Sequence, residues 1–340
     1  MKAARFHKVG APLKVEEIPD PKPSPRDVVL RVRGAGICHT DLHLQDGLIP
    51  LNMPIVLGHE IAGEVVDVGS EVSGIKKNDH AVVHFWNPCG HCRACLQGKA
   101  MQCESLWTRP AAGIMINGGY EEKCQVDMDR VVPVPKGIPL DFAATLGCAG
   151  ITAHHAVNIV GNARSSDSVA IFGLGGLGLY GVQFARISGA HTIGISRNPS
   201  KLKKAEQLGA DAVIDASKGK VDEQVKKATN GRGADLIVDL LGSPESAKAS
   251  IASLAIGGRY VLVGITPAEL GFNPTDIIFR ELSISGSLVG SKKEQADIVE
   301  MARSGRVKSP VTKTYKLDDI NSGFDALRRG ETVGRSVVLP

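Results

Sequence analysis

A group of four closely spaced cysteines constrains the fold of this 340-residue chain more than any other feature. Cys89, Cys92, Cys95 and Cys103 follow the pattern C-x2-C-x2-C-x7-C. This is the spacing of a closed tetrathiolate zinc site, in which a short lobe wraps a tetrahedral ion. Four thiolates leave no open coordination position, so we predict a structural zinc. A redox or disulfide cluster is the less favoured alternative, because thiols stay reduced inside cells.

Three residues outside that group predict a second, open metal site. Cys38 and Cys148 lie far apart in sequence, and Gly58-His59-Glu60 lies between them. Two thiolates and one imidazole leave one position of a tetrahedral zinc free for a substrate. The alternative is that the three residues never meet and are ordinary core side chains. The last cysteine, Cys124, is expected to be a small core residue.

Composition excludes several classes of function. No apolar run is long enough to cross a membrane, and Met1–Phe6 lacks the apolar region of a signal peptide. We therefore expect a cytoplasmic protein without a membrane partner. The formal net charge of +4 is small and dispersed, so we expect no nucleic-acid partner.

The chain length favours two domains, and the texture of the sequence changes near residue 150. Val28–Arg33 and Ile61–Val68 read as strands of a β-rich first part. Beyond residue 150, apolar runs alternate with helical stretches such as Ser200–Leu208 and Val221–Thr229, which predicts a doubly wound parallel sheet. A last stretch from about residue 296 holds one or two helices and a strand at Ser336–Leu339. The strands predicted in the second part are Val169–Phe172, Thr192–Ile195, Ala212–Ile214, Leu236–Val238, Tyr260–Val263 and Leu282–Ile284.

A glycine-rich turn predicts where a dinucleotide binds. The G-x-G-x-x-G pattern follows the predicted strand Val169–Phe172 and opens a helix at Leu179–Ile187, which is the context that makes the motif informative. Free N–H groups at the start of that helix would meet the pyrophosphate. The alternative is a purely structural turn. The predicted contacts in this turn are Gly173, Gly175, Gly176, Leu177 and Gly178.

The end of the second predicted strand favours NADP(H) over NAD(H). Sites selective for NAD place a carboxylate here to hold the ribose 2′-hydroxyl. This chain has Ser196 followed by Arg197, so nothing repels a 2′-phosphate and a guanidinium is available to pair with it. The alternative is that Arg197 points into solvent and that Asn198 or Lys201 makes the contact.

The pattern Gly58-His59-Glu60-x2-Gly63-x5-Gly69-x2-Val72 resembles the signature of the zinc-dependent medium-chain alcohol dehydrogenases. The resemblance extends over nearly the whole chain, from the Cys38–Asp41 segment to Gly334-Arg335. It implies an α/β protein with a β-rich GroES-like catalytic domain at residues 1–150, completed by about 291–340. A Rossmann domain would occupy residues 151–290. It also implies two zinc ions per chain.

The resemblance further implies the roles of residues around the open zinc. Cys38, His59 and Cys148 would hold the metal, Glu60 would lie beside it, and Asp41 would accept from the second nitrogen of His59. The implied reaction is reversible hydride transfer between a primary or secondary alcohol and NAD(P)+, with an aldehyde or ketone as product.

A proton relay and the coenzyme contacts are also implied by the resemblance. Thr40 would take the proton first, and His43 would release it at the surface after the ribose hydroxyls, unless His43 is an ordinary surface histidine. The implied coenzyme contacts are His39 and Arg335 to the pyrophosphate, Thr152 to the nicotinamide, and backbone groups near Gly264–Ile265 and Leu288–Val289 to its carboxamide.

Aromatic residues near the lobe suggest the substrate class. Phe85, Trp86 and Trp107 lie where the family has its pocket, and they favour an apolar alcohol, aromatic or of medium chain length. It is about equally plausible that these rings pack the lobe against the core. The short form of the chain is associated in this family with tetramers, so we expect a homo-oligomer, a tetramer or a dimer.

Two other functions remain open on sequence. A zinc-free NADPH-dependent quinone or enoyl reductase would share the fold, but it would not need Cys38, His59 and Cys148. A non-enzymatic coenzyme-binding protein would not need the relay of Thr40 and His43 either.

Overall fold

The computed structural model describes the whole chain, Met1–Pro340, as two compact units. Unit 1 comprises Met1–Ile151, Gly290–Gly305 and Val311–Pro340, and unit 2 comprises Thr152–Val289 and Arg306–Pro310. The domain boundaries expected from the sequence differ from the limits of these units mainly at residues 306–310, which belong to unit 2. None of the helices is long and apolar enough to cross a membrane.

The strands form three sheets. They are β1 (Lys2–Phe6), β2 (Lys14–Glu17), β3 (Asp27–Gly36), β4 (Ile55–Val56), β5 (Glu60–Val68), β6 (His80–Val83), β7 (Lys123–Asp127), β8 (Val131–Pro133), β9 (Ser168–Phe172), β10 (His191–Ser196), β11 (Ala212–Asp215), β12 (Ala234–Asp239), β13 (Leu254–Leu262), β14 (Ser283–Gly286), β15 (Val311–Lys316) and β16 (Arg335–Leu339).

The helices lie between these strands, and two π-helical turns, Leu146–Gly150 and His155–Val160, flank a short α-helix. The α-helices are α1 (His39–Gln45), α2 (Arg93–Leu96), α3 (Leu140–Thr145), α4 (Ile151–His154), α5 (Gly176–Ile187), α6 (Pro199–Gln207), α7 (Val221–Ala228), α8 (Pro244–Ser253), α9 (Pro274–Phe279), α10 (Lys292–Arg303) and α11 (Ile320–Arg328). Short 3₁₀ turns are Ala100–Gln102, Leu106–Thr108, Met128–Arg130 and Leu317–Asp319.

Unit 2 is a doubly wound sheet of six parallel strands in the order β11-β10-β9-β12-β13-β14. Counted within the unit, this is the order 3-2-1-4-5-6 of dinucleotide-binding folds. All six strands predicted from apolar runs overlap an observed strand, which confirms the predicted architecture. The strand sequences are continuously apolar, rather than alternating between apolar and polar residues, because a parallel sheet covered by helices is buried on both faces. Ala170, Ile193 and Ile237 lie at its fully buried centre.

Unit 1 is built around a seven-stranded sheet in which β3 pairs with β5, β7 and β16. The β-rich part predicted from sequence is therefore confirmed, and the predicted last strand corresponds to β16. Gly36 at the end of β3 lies opposite Glu60 at the start of β5 and opposite Val337 in β16. This register brings together the end of one strand and the beginnings of two others. Cys124 is fully buried in β7, as expected.

A buried carboxyl group in unit 1 makes stability depend on pH. Glu121 is 3 % exposed, and its Oε2 atom has no hydrogen-bond partner. Burial raises the pKa of Glu121 to about 8. The folded protein therefore holds this proton more tightly than the unfolded chain, whose carboxyl titrates near the ordinary value of 4.5. The contribution of Glu121 to the free energy of unfolding is therefore largest below pH 4.5. It is lost as the pH rises from 4.5 to about 8.

We predict that Glu121→Gln stabilises the protein at pH 8 but changes little at pH 4.5. The free energy of unfolding of the original protein should fall by about 1.4 kcal/mol per pH unit relative to the variant across this window. Urea unfolding at several pH values measures the difference. Glu122→Gln is the matched control because the neighbouring Glu122 is exposed. A difference that does not vary with pH would contradict the prediction.

Candidate active site

Helix α1 positions the first cysteine of the open site. Cys38 is the N-cap residue of α1, and its backbone N–H donates to Asp41 Oδ2 at 2.8 Å, which closes a capping box. The hydroxyl group of Tyr120 lies 2.8 Å from the same oxygen and donates to it. Asp41 is fully buried, and its other oxygen lies 3.5 Å from His59 Nδ1. The carboxylate therefore lies beside Nδ1 of the imidazole.

The three predicted ligands meet in unit 1. The ligand atoms of Cys38, His59, Glu60 and Cys148 all lie within 4.8 Å of one another, and all four residues are buried. His59 precedes β5, and Cys148 lies in the π-helical turn Leu146–Gly150. Such turns are rare and occur frequently at functional sites.

The donor set fits zinc. Nε2 of His59 is buried and has no hydrogen-bond partner, which is costly unless a metal takes its lone pair. The neighbouring Cys148 thiol and the charge of Arg335 lower the pKa of Cys38 well below its ordinary value, although burial opposes this. A metal-binding thiol must be deprotonated, so this environment favours a ligand thiolate.

Glu60, whose carboxylate belongs to this cluster, also forms a buried ion pair. The guanidinium group of Arg335 forms a bidentate ion pair with the Glu60 carboxylate. Nε donates to Oε2 at 3.0 Å, and Nη2 donates to Oε1. The backbone N–H of Ala149 donates to Oε1 at 3.2 Å. Burial raises the pKa of Glu60 to about 7 against the opposing charge of Arg335. A Cβ atom on Gly36 would lie 1.9 Å from Oε2, so only glycine fits opposite this carboxylate.

The four-cysteine lobe also has the geometry of a metal site. Cys89 Sγ lies 3.9 Å from Cys95 Sγ, close to the separation of about 3.8 Å between two thiolates on a tetrahedral zinc. All four sulfur atoms lie within 4.8 Å of one another. Backbone N–H groups near Cys95 and Glu104 lower the pKa of Cys92 to about 6. The predicted structural site therefore fits zinc as well.

Two of the predicted relay and pocket residues, Thr40 and Phe85, contact residues of the open site. Thr40 and His43 are three residues apart on α1, so they share one face, and Thr40 Oγ1 lies 3.7 Å from Cys38 Sγ. The ring of Phe85 packs against His59 with a centroid distance of 4.9 Å. Trp86 is buried and contacts the edge of Trp107, which is 64 % exposed.

The glycine-rich turn in unit 2 has the local structure expected of a pyrophosphate site. Gly175 is the N-cap of α5, directly after β9. A Cβ atom on Gly178 would lie 2.0 Å from the carbonyl oxygen of Gly173, so the turn requires glycine there. Space around the Cβ position of Gly175 is open, which allows a ligand to approach the backbone.

The end of β10 presents polar and basic groups. Ser196 Oγ accepts from the backbone N–H of Asn198, which caps α6 through its own side chain. Arg197 is exposed. Hydrogen bonds from a backbone N–H and from the Ser243 side chain lower the pKa of Glu245, and the charge of Arg197 adds a smaller contribution. Burial lowers the pKa of the partly buried Lys201.

Comparisons with known proteins agree with this geometry. Residues 24–136 match the family model of the alcohol dehydrogenase GroES-like domain, and residues 176–304 match that of the zinc-binding dehydrogenases. A curated NAD-dependent alcohol dehydrogenase from Sulfurisphaera tokodaii is 36% identical, and the alignment covers 100% of both chains. The chain belongs to the zinc-dependent medium-chain alcohol dehydrogenase family.

Two solved structures show how closely this family member shares the fold. The alcohol dehydrogenase from Aeropyrum pernix superposes with a TM-score of 0.93 at 37% identity, covering 100% of both chains. A putative zinc-binding dehydrogenase from Sinorhizobium meliloti, solved with bound NADP, gives a TM-score of 0.92 at 29% identity and covers 100% of this chain and 99% of that chain.

The structure also places residues that the sequence did not point to. Tyr120 donates to Asp41, and Gly36 makes room for Glu60, but neither stands in a recognisable motif. Arg335 was predicted to contact the pyrophosphate, and the structure gives its guanidinium group a different partner, Glu60. The coenzyme role of Arg335 stays a prediction, as do the other individual roles.

We predict that Arg335→Leu destabilises the protein by about 3 to 5 kcal/mol, because it leaves Glu60 buried without a partner. The double variant Glu60→Gln/Arg335→Leu should recover most of that loss, since it removes both charges. Urea unfolding of the zinc-loaded protein measures both effects. Arg303→Leu is the control, because Arg303 forms an exposed ion pair with Glu300 that is worth no more than about 1 kcal/mol. Equal losses in the single and double variants would contradict the ion-pair explanation.

Proposed function

We propose that this protein is a zinc-dependent alcohol dehydrogenase that converts apolar primary or secondary alcohols reversibly into aldehydes or ketones, with NADP(H) favoured over NAD(H). The observation that carries the proposal is the set of three buried ligands Cys38, His59 and Cys148 beside a glutamate that Arg335 already holds. Three protein ligands leave a position open for a substrate, as in catalytic zinc sites.

Zinc and a nicotinamide coenzyme would supply the reactive chemistry when bound. Zinc, held by Cys38, His59 and Cys148, would supply Lewis acidity toward an alcohol hydroxyl, and the coenzyme would supply the hydride acceptor. Oxidation of one alcohol therefore yields one carbonyl product, one reduced coenzyme and one proton.

The residues of the chain orient the site and move the proton. Asp41 keeps a proton on Nδ1 of His59, so that Nε2 presents its lone pair to the ligand cluster. Thr40 is the first acceptor of the hydroxyl proton, and His43 on the same face of α1 passes it on. An imidazole can accept and release a proton near neutral pH.

Apolar rings define the substrate class in this proposal. Phe85 packs on the His59 ring and is nearly fully buried, so this side of the cluster is apolar and excludes water. Trp86 extends the same surface through its contact with Phe85. These rings favour an alcohol with an apolar chain or an aromatic group over a charged substrate.

Turnover and zinc content together test the proposed function. The purified protein should contain close to two zinc ions per chain and should oxidise alcohols in a panel of increasing chain length, assayed in parallel with NADP+ and NAD+. Activity should disappear on removal of the zinc held by Cys38, His59 and Cys148 and should return when zinc is added. Activity on enones or quinones that does not depend on zinc would instead support a reductase. Coenzyme binding without any turnover would support a non-enzymatic role.

The coenzyme preference is proposed from Ser196 and Arg197, and the bound NADP in the Sinorhizobium meliloti structure shows that this coenzyme occurs on the same fold. Relatives at 34% to 38% identity are named NAD-dependent, so the preference has to be measured.

We predict that Arg197→Ala weakens NADPH binding on the order of 10- to 100-fold and leaves NADH binding nearly unchanged, because only NADPH carries a 2′-phosphate on its adenosine ribose for the guanidinium to bind. Fluorescence titration measures both dissociation constants. Lys201→Ala tests the alternative contact, and Lys203→Ala controls for the loss of one positive charge from α6. Equal weakening of both coenzymes by Arg197→Ala would contradict the assignment.

A homo-oligomer of two or four copies in the cytoplasm completes the proposal. The edge strand β14 is exposed along its whole length, and Ile256, Ile278 and Phe279 in unit 2 are strongly exposed. Open strand edges and apolar patches of this kind are normally covered by a partner. Light scattering should therefore give a mass of two or four chains, and a monomer would contradict this proposal.

A further inference from the structure

His84 connects two backbone carbonyl groups of unit 1. The side chain is 1 % exposed, its Nδ1 atom lies 2.8 Å from the carbonyl oxygen of Trp86, and its Nε2 atom lies 2.9 Å from that of Gly290. Trp86 carries one of the rings of the proposed substrate surface. Gly290 directly follows Leu288–Val289, the segment whose backbone is proposed to hold the nicotinamide carboxamide.

The residue before Gly290 has an unfavourable backbone conformation. Val289 has a φ angle of +49°. Three of the other four non-glycine residues with positive φ are asparagines, which tolerate this region, whereas a β-branched residue there is a genuine outlier. Such strain persists only where surrounding contacts hold the backbone, and it clusters at ligand-binding sites.

The backbone is anchored before and after Leu288 and Val289, but these two residues themselves lack backbone hydrogen bonds from their N–H groups. Ser287 N–H donates to the Leu262 carbonyl at 3.0 Å, and Ser291 caps α10. Between them, neither Leu288 nor Val289 donates its N–H to another backbone group. The contact of His84 with the Gly290 carbonyl is therefore the side-chain hydrogen bond that fixes the end of this stretch.

The two contacts of His84 compete for one proton. Both partners are carbonyl oxygens, which only accept hydrogen bonds. Burial lowers the pKa of His84, so the ring is neutral at neutral pH and carries a single N–H. One carbonyl group therefore receives the hydrogen bond and the other faces a lone pair, and the two contacts can be separated by substitution.

We propose that His84 is a positioning residue for coenzyme binding, which donates from Nε2 to the Gly290 carbonyl and so keeps the strained Val289 segment ready for the carboxamide. This inference rests on the proposed function. It assigns a role to a residue that makes no contact with the zinc ligands' donor atoms and that stands in none of the motifs.

A matched pair of substitutions separates the two contacts. The amide nitrogen of Gln reaches the position of Nε2, so His84→Gln keeps the donor to Gly290. The amide nitrogen of Asn reaches the position of Nδ1, so His84→Asn places a donor at Trp86 and removes the donor to Gly290. We expect His84→Asn to raise the dissociation constant of the reduced coenzyme on the order of tenfold and His84→Gln to raise it less than about twofold. Fluorescence titration provides this measurement without turnover.

A third substitution tests whether the strain at Val289 is the link. Glycine adopts positive φ without cost, so Val289→Gly should restore most of the lost coenzyme affinity in the His84→Asn background. The KM for the alcohol and the melting temperature should differ little between the Asn and Gln variants. Equal effects of Asn and Gln, or no rescue by Val289→Gly, would overturn the proposal. Failure of the original protein to bind any nicotinamide coenzyme would instead refute the proposed function.

Discussion

The buried ion pair between Glu60 and Arg335 is the interaction on which the rest of the open site depends. Removing two charges from water costs free energy, and only a close bidentate geometry with further hydrogen bonds compensates for that cost. Arg335 supplies that geometry, and the N–H of Ala149 adds a third donor beside Cys148. The pair thereby satisfies a buried carboxylate, and it attaches β16 to β5 and to the π-helical turn.

The three ligands are held by three different kinds of local structure. Cys38 caps a helix, His59 precedes a strand, and Cys148 lies in a π-helical turn. None of these elements would bring its side chain to the others without the register of the central sheet, in which Gly36 lies opposite Glu60. The Asp41 carboxylate lies 3.5 Å from His59 Nδ1 and is itself held by Tyr120 and the Cys38 backbone. Rigid supporting contacts of this kind orient metal ligands and tune their basicity.

Sequence patterns predicted the parts of the molecule whose physical cause is local. The close spacing of the four lobe cysteines lets one short loop bring their sulfur atoms together, and the apolar runs of unit 2 reflect burial on both faces of a parallel sheet. Arg335 and His84 could not be read in the same way. Their partners lie 275 and 206 residues away, and which atoms meet depends on strand register and packing rather than on neighbouring residues. The fold was therefore predictable, and the structure brings the candidate metal ligands Cys38, His59 and Cys148 together, whereas the contacts that hold these elements were not predictable.

The insertion of unit 2 into unit 1 has a consequence for protein synthesis. Glu60 leaves the ribosome 275 residues before Arg335, a delay of roughly 15 to 55 seconds at ordinary rates of translation. All six strands of the parallel sheet emerge within that interval, so this sheet can complete its pairing while the surrounding unit still lacks β16. Until then the Glu60 carboxyl has no guanidinium partner, and the nascent chain must keep it hydrated or protonated. The order of synthesis thus makes the unit that holds the metal ligands the last part of the protein to close.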